Sequence, residues 1–184
     1  MNKHEQSSRL VGPAARSYPS AVSSASATRQ RFTSAEYLIM ERASPARHEL
    51  VRGEIFAMAG ASREHNLIVT NLVRELSSAL RDRPCEVYPS DMRVKAEATG
   101  LYAYPTVTVV CGSPRFEDGR GDTLLNPLVI FEVLSDSTES FDRGGKFEQY
   151  RTIPSLAEVV FVSQKEALVE HFERQADGSW RLRE

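Results

Sequence analysis

The sequence predicts an α/β fold in which helices flank a central mixed β-sheet. Two observations lead there. Leu67, Ile68, Leu72, Val73, Leu76 and Leu80 recur at helical spacing between Ser62 and Pro84, and short runs rich in Val, Ile, Phe and Tyr, broken by Gly and Pro, occupy 85–111 and 127–174. Helices and strands mixed in this order pack as layers around a sheet.

The elements follow in chain order. Residues 1–30 hold many Ser, Ala and Arg and no periodic apolar stripe, so they read as a disordered leader ahead of one domain at 31–184. Their Arg- and Ser-rich composition also suits an organellar address, but they lack the apolar core of a secretory signal. The stretch 32–44 reads as a short helix with Thr33 or Ser34 as N-cap and Glu36 in the first turn. At 47–60 two short strands turn about Arg52-Gly53, an additional N-terminal pair. The long helix opens at Ser62 and stops at Pro84. Two strands, "CEVYPSDMRVKAE" and "LYAYPTVTVVCG", flank the turn residues Thr99-Gly100. A polar loop (112–123), the strand "PLVIFEVLS" (127–135), a second loop (136–145) and the helix "KFEQYRTI" (146–153) come next. Strands at 156–164 and 167–174 and a turn at "DGSW" (177–180) complete the chain.

The bulk numbers bound the function. The 184 residues suit one domain with one core, and no apolar run approaches the roughly 18 residues of a membrane span. A formal net charge of −2 excludes a protein that coats nucleic acid through a strongly basic surface. The run Arg81, Arg83, Arg93, Lys95 could touch phosphates, but it reads as a solvated face. Cys85 and Cys111 have no CxxC spacing and read as small buried hydrophobes in a reducing, cytoplasmic compartment, not as a zinc site or disulfide framework.

One residue in this pattern demands explanation. Glu132 lies in the middle of "PLVIFEVLS", where a charge costs several kcal/mol unless it is paired. Lys146 and Tyr150 are four apart on the next helix and share a face. Glu49 precedes the first strand turn, and Pro105-Thr106 opens a neighbouring strand. Carboxylates on adjacent strands with a lysine close by suit phosphodiester hydrolysis, which uses a hard cation held by one or two carboxylates and a cationic group for the developing charge.

From about residue 31 onward the chain resembles the Uma family of bacterial proteins, described as restriction endonucleases of the PD-(D/E)xK nuclease superfamily. The resemblance lies in "HELVRGEIFAMAGASREHN", "YPTVTVV", "PLVIFEVLS", the stretch 137–150 and "DGSW". It implies a restriction-endonuclease-like fold, a Mg²⁺- or Mn²⁺-dependent endonuclease acting on DNA, and a homodimer. Carried over by position, Glu132 is the metal-binding acid and the Val133 carbonyl a further ligand. Leu134 stands where the superfamily has its lysine, and Lys146 takes that role. Glu49 is an additional metal or water ligand, Tyr150 braces Lys146 or touches phosphate, and His65 matches a family histidine of undefined role. The departure is Thr106, which stands where the family has the aspartate of "PD". Either Asp91 supplies the missing acid, or the chain is a catalytically inactive nuclease fold that binds DNA or protein.

Overall fold

The computed structural model describes residues 31–183, so the expected leader at 1–30 lies outside the described residues. The mixed α/β class holds, with the strands divided between two sheets. A five-stranded sheet has the order β2-β1-β5-β4-β7, and a six-stranded sheet the order β11-β10-β9-β8-β6-β3. The ranges are β1 His48–Val51, β2 Glu54–Ala57, β3 Cys85–Pro89, β4 Arg93–Ala96, β5 Leu101–Ala103, β6 Val107–Cys111, β7 Thr123–Leu124, β8 Val129–Val133, β9 Glu158–Val162, β10 Val169–Arg174 and β11 Trp180–Arg183. The pairs β4·β7 and β8·β9 are parallel and the others antiparallel, which makes both sheets mixed.

Local chemistry explains the first elements. Helix α1 (Ser34–Ala43) starts on a capping box: the Thr33 side chain accepts from the Glu36 amide, and the Glu36 carboxylate accepts from the Thr33 amide. β1 and β2 join through Arg52 and Gly53, both at positive φ, as a two-residue hairpin turn requires. Helix α2 (Arg63–Ala79) is capped by Ser62, whose hydroxyl accepts from the His65 amide, and it lies along β3, β6 and β8.

The two long strands expected at 85–97 and 101–112 are each broken in two. The chain leaves the six-stranded sheet after Pro89, enters the other sheet at Arg93, turns, and returns through Tyr104-Pro105-Thr106 to β6. Proline supplies no amide to a ladder, so Pro105 falls between strands. This corner brings the two sheets face to face around a shared core of Val51, Phe56, Val94, Leu101, Val110, Ile130, Val159 and Phe161. The opposite face of the smaller sheet packs Leu50, Ile55 and Tyr102 against Tyr37 of α1.

Strand alternation then places the chemistry. Glu49 shares the inner face with Val51, Glu132 shares it with Ile130, and Thr106 precedes β6 in phase with Val110. Acids from the two sheets therefore point toward each other.

Two further expectations are corrected. The 136–145 stretch is not all loop: α3 (Glu139–Phe141) runs into a π turn at Asp142–Lys146 and then α4 (Phe147–Tyr150). Gly145 lets that turn form against Phe141, since a Cβ there would lie 3.1 Å from its ring. Cys85 and Cys111 are not free thiols but a disulfide, because the β3·β6 register sets them directly opposite each other. A final strand, β11, follows "DGSW", and its Trp180 packs with Phe147 of α4.

Candidate active site

Glu132 is 4% exposed, and both of its oxygens are engaged. Oε1 accepts from the Tyr150 hydroxyl at 2.8 Å and lies 3.2 Å from Nζ of Lys146. Oε2 accepts from the amide and the hydroxyl of Thr106, each at 3.2 Å. The Thr106 hydroxyl in turn accepts from the Val133 amide at 3.1 Å. Thr106 is thus a hydrogen-bond partner of Glu132, neutral and committed within the protein.

Lys146 is the hub. Its ammonium lies 3.1 Å from Glu49 Oε1, 3.2 Å from Glu132 Oε1 and 3.2 Å from Asp142 Oδ1. Glu49, 1% exposed, also accepts from the Tyr104 amide at 2.9 Å. Phe147, the next residue, packs on Phe161 and Phe172, which fixes α4 to the six-stranded sheet and so fixes where Lys146 points.

The electrostatics follow from three carboxylates sharing one ammonium in a dry place. Burial raises the Glu49 carboxyl, against the pull of Lys146. Burial also pushes Glu132 up to about 7; Lys146 and Tyr150 oppose the shift, while Asp142 and Glu49 add to it. Burial alone would lower Lys146, but Glu132 and Glu49 outweigh it and hold the amine well above the ordinary lysine range. Tyr150 is raised by burial and then by Glu132, so its hydroxyl stays a donor.

The cluster forms the floor of a cleft of about 780 Å³. Acids outnumber bases in its lining: Glu49, Glu64, Asp91, Glu132, Asp136 and Asp142 face Arg47, Lys146 and Lys165. Asp91 belongs to this wall but not to the cluster. Its side chain is 85% exposed, in the turn after β3, and pairs with Arg47 at 3.5 Å. His65 lines the same cleft at the start of α2, its imidazole lowered by burial. Arg93 and Lys95 do not form a solvated run with Arg81 and Arg83: Arg93 is buried beside Thr123 and Tyr104, and Lys95 pairs with Glu117.

Sequence reasoning missed Asp142. Its signal was there, since Asp142, Lys146 and Tyr150 stand at successive steps of four, the same spacing that singled out the last two.

The donor set suits a hard divalent cation in kind: it offers carboxylate oxygens alone, on an inner wall with excess negative charge. Among the described residues, no group of three or more His, Cys, Asp or Glu is arranged around a metal position as the side chains stand. Lys146 holds the point on which the acids converge. Three carboxylates and one ammonium carry a formal −2, so the acids outnumber the one cation they share. Among the described residues no helix is long and apolar enough to cross a membrane.

Comparison with known proteins places this architecture. Residues 34–184 match the Uma2 family, whose description reads "Putative restriction endonuclease", and the chain belongs to that family. The uncharacterized protein sll1609 of Synechocystis sp. is 40% identical over 158 residues, covering 86% of this chain and 89% of its own. A second uncharacterized Synechocystis protein, slr1290, is 34% identical over 158 residues, covering 85% and 82%. A crystal structure from Anabaena variabilis, described as "a putative nuclease belonging to DUF820", matches with a TM-score of 0.66 and 16% identity over 82% of this chain and 83% of that one. Likeness at this identity shows a shared fold.

Proposed function

We propose that this member of the Uma2 family is a divalent-cation-dependent DNA endonuclease whose activity is reduced by Thr106. One observation carries the reading: acids from two different sheets meet a buried lysine on the floor of an acidic cleft. An acidic cleft repels a phosphodiester unless a cation is supplied, so cation dependence and substrate class support each other.

Glu132, Glu49 and the Val133 carbonyl would hold Mg²⁺ or Mn²⁺. The ion, when bound, polarises the phosphate and lowers the pKa of a bound water. The other roles belong to the chain. Tyr150 and Thr106 grip Glu132 through opposite oxygens and fix its orientation. Lys146 offers its ammonium to the phosphate oxygens, where charge grows in the transition state. Thr106 adds no charge to the site, so a divalent ion there would have one acid fewer to hold it. The proposal extends to a homodimer, in keeping with the family resemblance; the cytoplasmic expectation rested on free thiols, and the Cys85–Cys111 disulfide removes that ground.

The committed hydroxyl of Thr106 favours a second reading, an inactive nuclease fold that binds DNA or a protein partner. Nicking of supercoiled plasmid in Mg²⁺ or Mn²⁺, with EDTA as control, separates the two. Cation-dependent nicking by the natural protein supports the first reading. No nicking by the natural protein, with nicking restored in Thr106→Asp, establishes the second.

A further inference from the structure

We propose that the Lys146 ammonium is a resident counter-ion which a divalent cation must displace, so that cation binding and the release of Lys146 toward substrate are one exchange. This inference rests on the cation-dependent reading above and adds the coupling between its parts.

A lysine ammonium has three N–H donors and no acceptor. Three separate carboxylates lie 3.1, 3.2 and 3.2 Å from it, and the side chain is 7% exposed. All three carboxylates pair with the ammonium, and the contact to Asp142 is a hydrogen bond, so its charge is engaged within the protein while this arrangement persists. The partners differ in where they are anchored. Glu49 belongs to β1 of one sheet and Glu132 to β8 of the other, whereas Asp142 opens the same π turn that Lys146 closes. Asp142 therefore travels with Lys146, and the other two acids do not.

The exchange follows from that difference. Glu49 and Glu132 trade the ammonium for a divalent ion, and Lys146 keeps Asp142 as its tether. Two N–H donors then face the cleft, where a phosphate oxygen can accept them. The two cations cannot share one point, because like charges in a buried place repel strongly. Thr106 sharpens the competition. An aspartate there would add an acid for the incoming ion, whereas a threonine leaves the existing acids to be contested.

Calorimetric titration of Mn²⁺ into the natural protein and Lys146→Met reads the exchange without reference to cleavage. Lys146→Met is expected to bind Mn²⁺ about tenfold tighter or more, within the ~5- to 150-fold usual for coupled binding events. Equal or weaker affinity in a folded Lys146→Met overturns the exchange alone, while no Mn²⁺ binding by either protein overturns the cation-dependent reading with it. Should the variant fail to fold, the natural protein supplies the second measurement: acylation of Lys146 by an N-hydroxysuccinimide ester, followed by peptide mass spectrometry. Mn²⁺ should raise the rate at Lys146 about fivefold relative to the other lysines. A rate at Lys146 that Mn²⁺ leaves unchanged, or slows, overturns the proposal.

Discussion

The hydroxyl of Thr106 donates to Oε2 of Glu132 across 3.2 Å, holding from one side a carboxylate that Tyr150 holds from the other. The position that could have contributed a second strand acid instead contributes a clamp. The chemical difference is one of charge: the clamp orients Glu132 but does nothing to neutralise a cation.

Replacing Thr106 by Asp should therefore change how the fold responds to metal. Without a cation, a carboxylate placed beside Glu132 meets like charge in a site only 5% exposed, and stability should fall by about 1–3 kcal/mol. Mn²⁺ should return most of that loss. Thermal melting with and without Mn²⁺ checks it, and a variant that melts identically in both conditions contradicts the assignment.

The elevated Glu132 makes stability depend on pH. A carboxyl raised from 4.5 to about 7 on folding contributes fully while protonated, below about 4.5, and that contribution is lost as pH climbs through about 7. In EDTA the fold should lose up to roughly 3 kcal/mol across that window from this group. Urea denaturation at stepped pH measures the slope. Glu132→Gln should reduce it, and an unaltered slope would assign the dependence elsewhere.

Tyr150→Phe removes one donor to Glu132 without changing the ring that fills the core. The buried bond is worth about 1 kcal/mol net, and leaving the acceptor short costs about 1–3 kcal/mol. The carboxyl should also rise further, since the Tyr150 hydroxyl is one of the groups holding it down. A carboxyl-resolved NMR titration would show the shift, and no displacement would contradict the contact.

Reduction of Cys85–Cys111 should cost about 2–4 kcal/mol, from the 26-residue separation the bond closes. Denaturation with and without dithiothreitol reads this. Equal midpoints would mean that the pair adds nothing beyond the strand pairing already joining β3 to β6.

Much of the site was legible because charge inside an apolar strand is conspicuous: Glu132 stood out in "PLVIFEVLS", and the step of four then linked Lys146 to Tyr150. Asp142 was passed over because Gly144-Gly145 reads as a loop, although its step of four to Lys146 continues the spacing that links Lys146 to Tyr150. The break of each long strand was missed for a related reason. Pro89-Ser90-Asp91 and Pro105 are turn and ladder-breaking residues that mark the breaks, but the β-rich runs on either side of each outweigh them. The disulfide could have been read from the turn. A hairpin about Thr99-Gly100 sets Cys85 close to opposite Cys111, a register argument that spacing motifs alone do not contain.

The central claim is tested most directly by the rate at which the natural protein and Glu132→Gln nick supercoiled plasmid at saturating Mn²⁺. A Glu132-centred site predicts measurable nicking by the natural protein, abolished in Glu132→Gln while its fold is retained. Equal rates in the two proteins would contradict it.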